Sequence, residues 1–424
     1  PAPGFLPGPG DVARAPSRPT IARTPCLARQ SAVTRVGLYF GLVQFLFVSC
    51  WTVYVIYLPG LLAQAGIEKK WVIWVLMADQ LIFTVMDFAI GIAADRVLSG
   101  LRRIGPWLLG ATVVSGLAFL LLPHLAPAGA PALLAGAVVL WAVTSSALRA
   151  PPMMLLGKYV PPAGVPWVST LSLLGLGIAG AAAPYLTLGL RGVDPRLPFA
   201  LASLALVAAV GGMLWAEKHL AAAAPAEPPP PARPIDARVL AFFAAVALLG
   251  LGFQMHFALN SAPLYLRFAK PPELDHLMPV FWIGFNLLIF PACRANQRFG
   301  GVPVMTAGAV LGALAASLAA SAPSLEILVV LQFLAGGAWA AVLMSAMTAA
   351  IAIGHSGREG AATGGLFALL ALATLARMAI VAAQLNKDPG FAALLPWLPV
   401  FAWAGAALLL AWLVARPREG AASP

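Results

Sequence analysis

Charged residues are scarce in this sequence of 424 residues: 10% are charged, 61% are apolar, and the mean hydropathy is +0.89. A soluble domain carries about 25% charged residues, so this chain has too little polar surface to cover a water-soluble globule. Its 38 prolines and 40 glycines are compatible with membrane helices, which tolerate both residues. The composition excludes soluble enzymes, fibrous proteins and disordered proteins, and it predicts a polytopic membrane protein.

Cysteine and acidic residues are also few. The three cysteines, Cys26, Cys50 and Cys293, are too scattered for a disulfide framework or a metal motif. The sequence has no spacing typical of metal ligands, of a nucleophile with its base, or of a phosphate loop, so we predict no enzyme activity, no metal and no cofactor. The 26 basic residues exceed the 15 acidic ones, but they lie in short connections between apolar runs, which indicates topology signals and not nucleic-acid binding.

Twelve apolar segments are long enough to cross a bilayer, because a core of about 30 Å needs roughly 20 helical residues. They lie near 36–60, 71–94, 104–123, 131–149, 166–190, 197–216, 238–261, 278–293, 302–321, 325–347, 363–383 and 391–415. An Ala- and Pro-rich segment, 217–237, separates the first six from the last six and predicts a stiff linker. The fold class is therefore all-α integral membrane, with two six-helix halves.

The predicted domains follow from these segments and from the distribution of charge. Most Lys and Arg residues lie in connections on the side of the N-terminus, and cytoplasmic loops carry such an excess. We therefore predict a multi-pass protein of a bacterial inner (plasma) membrane with both termini in the cytoplasm. Its parts are a disordered cytoplasmic tail 1–35, a half 36–216, the cytoplasmic linker 217–237, a half 238–415 and a cytoplasmic tail 416–424.

The connection between spans two and three has a distinctive pattern. Gly91 permits close helix contact, and Asp95 with Arg96 follows at the end of the span. The helix dipole disfavours a carboxylate there unless a cation or the N-terminus of another helix compensates it. A loop charge that serves only topology accounts for the next basic residues, Arg102 and Arg103, but not for Asp95. We therefore predict a functional role for the Gly91, Asp95 and Arg96 group.

The pattern Gly91-x-x-x-Asp95-Arg96 followed by basic residues resembles the loop motif of the major facilitator superfamily, and the six-plus-six arrangement matches that family across nearly the whole chain. The resemblance implies the twelve-helix major facilitator fold. It also implies that Asp95 docks near the start of span eleven and stabilises one access state, with the glycine pair at 364–365 permitting the contact. The segment 296–300 is a degenerate second copy, as an internal repeat should show.

Within that superfamily, the segment from Asp87 to the basic pair and Pro106-Trp107 is similar to the glycoside-pentoside-hexuronide cation symporters. That branch implies cation-coupled sugar uptake. Four positions depart from its pattern: Gln80, Phe83, Phe88 and Pro152.

Three ionisable residues lie inside the predicted spans, where each costs about 2.5–3.5 kcal/mol at a helix centre. They are Asp79, Asp87 and Arg377. Asp87, with Thr84 one turn away, is the predicted site for a coupling proton or sodium ion; the alternative is an aspartate satisfied by polar groups of neighbouring helices. Asp79 and Arg377 lie at similar depths in spans that meet in the resembled family, so we predict that they pair as an outer gate when the outer side is closed.

The remaining polar and aromatic residues of the spans predict a cavity for a small neutral or weakly anionic solute, because they offer rings and amides but no carboxylate. The alternative for each residue is an interfacial aromatic or an amide that joins two helices. The predicted cavity residues are Gln44, Trp51, Tyr54, Trp141, Thr144, Gln254, His256, Asn260, Gln332 and Trp339.

These observations predict a monomeric secondary active transporter that works by alternating access in the lipid bilayer, with cation-coupled uptake of a small-molecule solute. Proton-coupled efflux of a drug or metabolite is an alternative within the same class. An alternative from another class is a non-transporting membrane assembly or delivery factor on the same fold.

Overall fold

The computed structural model describes residues 23–101, 104–223, 236–354 and 357–415, and these residues contain helices but no β-strand. Within these described ranges, twelve helices are long and apolar enough to cross a membrane, as the sequence predicts, and the fold class is confirmed. In chain order, α1 to α12 are Val33–Gln64, Lys69–Val97, Gly105–Ala128, Pro131–Tyr159, Pro162–Gly189, Arg196–Leu220, Ala237–Tyr265, Pro271–Phe299, Gly301–Ala320, Leu325–Gly354, Glu359–Ala382 and Leu398–Ala415.

Helices extend into two segments that the sequence predicts to lie outside the spans, the tail 1–35 and the linker 217–237. Helicity before α1 begins at Arg23, so 23–35 is helical where a disordered tail is predicted. At the end of α6, helical structure continues past Leu220 to Ala223, within the predicted linker. Helix α7 begins at Ala237. Residues 1–22 of the predicted N-terminal tail, residues 224–235 of the predicted linker and the whole predicted tail 416–424 lie outside the described residues.

Helix α4 extends ten residues beyond its predicted end. It consists of Pro131–Ser145, a 3-10 turn at Ser146–Leu148 and a second helix, Ala150–Tyr159. The prolines 151 and 152 suggest a helix end in the sequence, but they occupy the first turn of this second helix, where a missing N–H costs nothing. The extension draws the residues around 149 into the bundle.

Helix α7 contains a π-helical segment, Gln254–Asn260, between two α-helical parts. The hydroxyl of Ser261 donates to the carbonyl of His256, five residues earlier, at 3.0 Å. This side-chain bond stabilises the wider turn, and π-segments inside α-helices often occur at functional sites.

The two six-helix halves meet along two helix pairs, α2 with α11 and α5 with α8. Glycines allow α2 and α11 to touch through their backbones: a Cβ added at Gly91 would overlap the carbonyl of Gly360, and one at Gly364 would overlap the carbonyl of Asp87. We name the end of the bundle where α1 begins and α12 ends the terminal face, and the other end the distal face.

Close backbone contact also organises the first half, where α1 crosses α5 at Gly41 and Gly175. A Cβ added at Gly175 would overlap the carbonyl oxygen of Gly41, and a Cβ at Gly41 would lie 2.6 Å from the carbonyl oxygen of Leu171. Small residues therefore set the distance between these two helices.

We expect the substitution Gly175→Ala to destabilise the protein by about 1–3 kcal/mol, because the added methyl group has no space unless α1 and α5 separate. Thermal unfolding in detergent would measure the cost. Gly110→Ala in α3 is the matched control, since nothing lies within 4 Å of its added Cβ. Equal melting temperatures for the two variants would contradict the role of this crossing.

Candidate functional site

A cavity of about 640 Å³ lies between the two halves. Helices α1, α2, α4 and α5 line it from one half, and α7, α8, α10 and α11 line it from the other. Its lining residues on α5 include Gly180, Pro184 and Thr187, which approach the distal end of that helix. The cavity therefore extends from the middle of the bundle toward the distal face.

The polar lining of the cavity is cationic. Arg149 and Arg377 line it, together with the amides of Gln44, Gln80 and Gln254, and no Asp or Glu is present among the described lining residues. Arg377 lies ten residues beyond Phe367 on α11, which is about 15 Å along the helix. Because Arg149 packs on Phe367, the two arginines occupy different depths, with Arg149 at the floor and Arg377 nearer the distal face.

Arg377 is held by amide and hydroxyl groups of its own half. Its Nε donates to Oε1 of Gln254 at 3.1 Å, and Nε2 of Gln254 donates to Oγ1 of Thr374 at 2.9 Å. Gln254 is the first residue of the π-helical segment of α7. No carboxylate lies within 4.0 Å of Arg377 among the described residues, so its positive charge is uncompensated by an anion of the protein.

Aromatic rings form the apolar walls of the cavity: Phe47, Trp51, Phe83, Phe253, Phe257, Trp282 and Phe367. Buried rings support two of these walls from behind. Trp141 stacks on Trp51 with a centroid distance of 5.8 Å and an interplanar angle of 15°. Trp339 stacks on Phe253 at 4.3 Å and 3°. Such walls suit an apolar or aromatic solute body.

Asp87 forms an ion pair with Arg149 across α2 and α4, with 3.0 Å between Oδ2 and Nη1. The side chain of Asp87 is 0% exposed and that of Arg149 is 16% exposed. Neither oxygen of Asp87 accepts a well-directed hydrogen bond from the described residues, so the charge of Arg149 is its main compensation. The guanidinium also lies 5.1 Å from the ring centroid of Phe83 and 5.4 Å from that of Phe367.

Arg149 corrects the sequence analysis, which confines the intramembrane charges to Asp79, Asp87 and Arg377. Arg149 lies inside α4 because the helix continues past the proline pair. The predicted partnership of Asp87 with Thr84 is not observed, since the Thr84 hydroxyl donates to the carbonyl of Gln80 at 2.8 Å. The apolar residues on both sides of 149 are the sequence signal that indicates a longer span.

Asp79 and Arg377, the predicted outer gate, do not pair in this structure. Asp79 is 1% exposed and accepts a hydrogen bond of 2.7 Å from the hydroxyl of Tyr54 in its own half. Arg377 lines the cavity and binds Gln254 in the other half. The gate is predicted for a state closed on the distal face, and it remains a prediction for that state.

The docking that the resemblance implies for Asp95 is present at the terminal face. Its Oδ1 accepts from the backbone N–H of Gly360 at 2.7 Å, and its Oδ2 accepts from that of Ala361 at 2.9 Å. The carboxylate thus caps the N-terminus of α11, where the helix dipole is positive. Arg96 follows it on α2, whereas Arg102 and Arg103 lie outside the described residues.

The second copy of the motif does not dock across the halves in the same way. Asn296 is buried, and its Nδ2 donates to Oγ of Ser345 in its own half at 2.9 Å. Only the first copy therefore provides a carboxylate that caps a helix of the opposite half within the described part of the chain.

Three of the ten predicted cavity residues line the cavity: Gln44, Trp51 and Gln254. The other seven pack behind its walls or bond within the helices, namely Tyr54, Trp141, Thr144, His256, Asn260, Gln332 and Trp339. His256 and Gln332 face each other at 3.0 Å between α7 and α10, and Asn260 donates to the carbonyl of Leu395 at 2.7 Å. The sequence identifies four of the eight lining helices, α1, α4, α7 and α10, but the rotation of each helix decides which residues face the cavity.

No protein-family model matches the sequence, and no curated protein matches it. Many solved structures are similar to it, among them three transporters. They are the human organic anion transporter MFSD10 (TETRAN), with 15% identity and a TM-score of 0.67 over 91% of this chain and 99% of that one; a bacterial homologue of the iron transporter ferroportin in an outward-facing state, with 14% and 0.71 over 90% and 100%; and the proton:xylose symporter XylE, with 12% and 0.64 over 92% and 96%.

These similarities cover nearly the whole chain but are low in sequence identity, so they show the fold. They do not distinguish the glycoside-pentoside-hexuronide branch, which remains a prediction. The structures that the chain resembles are transporters and not enzymes. The chain has the twelve-helix major facilitator fold.

Proposed function

We propose that this protein is a secondary active transporter of small organic anions that carry an apolar or aromatic body. The observation that supports this most directly is the cavity, which combines two arginines and several aromatic rings with no acidic lining residue among those described. A positive charge in a partly dehydrated cavity attracts anions strongly, and the rings bind the apolar part of the solute.

Arg377 is the proposed recognition residue for the anionic group. Its Nε is occupied by Gln254, which fixes the plane of the guanidinium. A planar guanidinium binds a carboxylate or a similar anion through two parallel hydrogen bonds. Arg149 is less available, because Asp87 already compensates its charge. The site therefore carries about one net positive charge, which favours a monoanion.

In the proposed transport cycle, this structure is the state that is closed at the terminal face, with its cavity extending toward the distal face. Asp95 on the N-terminus of α11 and the Arg149 guanidinium against Phe367 both join the first half to the second on the terminal side of the cavity. Opening on that side has to break both contacts, while closing on the distal side has to cover Arg377. Three solved structures of similar fold, two of the bacterial ferroportin homologue and one of the transporter FucP, are described as outward-facing or in the outward conformation, which supports the same state for this chain.

The similarity to a human organic anion transporter agrees with this proposal but does not carry it, because 15% identity shows only the fold. Cation coupling through Asp87 and solute uptake remain sequence predictions within the proposal. The bacterial inner membrane and the cytoplasmic position of the termini are also proposed, on the distribution of basic residues.

Proteoliposomes that contain the protein should exchange a labelled aryl carboxylate such as benzoate across their membrane. The neutral analogue benzamide should not compete with benzoate for this exchange. We expect Arg377→Gln to weaken anion binding about 10- to 100-fold, since charge-assisted hydrogen bonds contribute about 1.5–3 kcal/mol. Arg196→Gln, at an exposed arginine outside the cavity, is the matched control. Benzoate binding without exchange would support the non-transporting alternative, and equal competition by benzamide would contradict anion selectivity.

The two residues of the ion pair at the cavity floor should be strongly coupled, and the two single substitutions should cost different amounts of stability. Arg149→Gln leaves the fully buried Asp87 uncompensated and should cost about 3–5 kcal/mol of stability. Asp87→Asn should cost less, because Arg149 reaches the cavity. The double variant should recover much of the loss of Arg149→Gln. Thermal unfolding of the four proteins gives the cycle; additive costs would show that the pair contributes no coupling.

The proposed orientation can be measured in intact cells after Cys26, Cys50 and Cys293 are replaced by serine. Single cysteines at Ala222 and Ala421 should resist a membrane-impermeant maleimide, because both positions are predicted to face the cytoplasm. A cysteine at Lys387, an exposed residue of the distal face, should react. Labelling at Ala222 and Ala421 but not at Lys387 would show that the topology is the opposite of the proposed one.

A further inference from the structure

A second buried carboxyl group, Asp79, lies away from the Asp87–Arg149 pair. The side chain is in the first half of α2, 1% of the residue is exposed, and the hydroxyl of Tyr54 donates to its Oδ2 at 2.7 Å. Asp79 is eight residues from Asp87, or about 12 Å along the helix. It does not line the cavity.

The groups around Asp79 provide no cation to compensate a carboxylate. From α1 it meets Tyr54, whose ring packs on Trp51 at 5.5 Å and on Trp141 of α4 at 4.5 Å. The first part of α4, Pro131–Ser145, contains no ionisable residue. Within the described residues, no Lys, Arg or His nitrogen lies within 4.0 Å of the Asp79 carboxylate.

The charged groups of the other neighbouring elements are engaged elsewhere. Arg377 of α11 binds Gln254, and Asp87 on α2 itself is paired with Arg149. At the distal end of α2, Lys70 pairs with Glu68 at 2.8 Å, and both side chains are well exposed. On the terminal side, Asp95 and Glu359 lie at the opposite end of α2 and at the start of α11.

An isolated carboxylate is costly at this position, because one neutral hydroxyl replaces only a small part of its hydration. A metal cation would require several oxygen ligands, and the indole rings near the Tyr54 phenol offer none. A proton requires a single carboxyl oxygen. It removes the charge and leaves the other oxygen free to accept the Tyr54 hydrogen bond.

We propose that Asp79 is a proton-binding site of this protein, with Tyr54 as the positioning residue that orients its carboxyl group. The site is distinct from the Asp87–Arg149 pair. Trp51 contacts Tyr54 and also lines the cavity, so two aromatic residues, Tyr54 and Trp51, connect the bound proton to the solute site. Coupling of this proton to the solute rests on the proposed transport function; the binding of the proton does not.

Infrared difference spectroscopy on the purified full-length protein, without any solute, tests the assignment through the carbonyl stretch of a protonated carboxylic acid. Spectra recorded between pH 5 and pH 9 should contain this band in the wild type. Asp79→Asn should abolish it, and Asp87→Asn should retain it. Tyr54→Phe should shift it to higher frequency, because the carbonyl loses its hydrogen-bond donor.

Loss of the band in Asp87→Asn but not in Asp79→Asn would overturn the proposal and assign the proton to the residue predicted from the sequence. Absence of the band in the wild type at every pH would also overturn it. If Asp79→Asn does not fold, the shift in Tyr54→Phe still assigns the band, and an unshifted band there counts against Asp79. Failure of benzoate exchange would leave this result unchanged, so the two proposals fail separately.

Discussion

The cost of placing carboxyl groups inside the helix bundle governs this structure, and helix α2 shows it most clearly. Asp79, Asp87 and Asp95 follow one another at intervals of eight residues, which correspond to about 12 Å of depth and a rotation of roughly 80° per interval. Each carboxyl group therefore meets a different neighbour. Asp79 meets a phenol of α1, Asp87 a guanidinium of α4, and Asp95 the helix N-terminus of α11.

This arrangement connects the interior of the first half to its contact with the second. The phenol contact lies wholly within the first half, whereas the Asp95 contact joins the halves. Arg149 lies between these two extremes, because it pairs with Asp87 in its own half and packs on Phe367 of the other. The backbone contact of α2 with α11 at Gly91 and Gly360 brings these groups close enough to interact.

The cavity acquires its chemical character from the same constraint. Asp87 is fully buried and uses much of the charge of Arg149, which leaves Arg377 as the cation without a protein anion among the described residues. The π-helical segment of α7 places Gln254 against Arg377, and the aromatic rings on both sides keep the region largely apolar. A cation oriented by an amide among rings is a site for an amphipathic anion.

The sequence by itself determined the number of spans, their order and the division into two halves, because apolar length is a local property that the bilayer reads directly. A carboxylate at a helix C-terminus requires an outside partner, and the family resemblance of the motif implied that Asp95 finds it near the start of span eleven. Only the tertiary structure decided that Arg149 lies inside the bundle, that Asp87 pairs with it and not with Thr84, and that seven predicted cavity residues face away from the cavity. Those outcomes depend on the rotation and relative depth of neighbouring helices, which are set by packing between segments distant in the sequence.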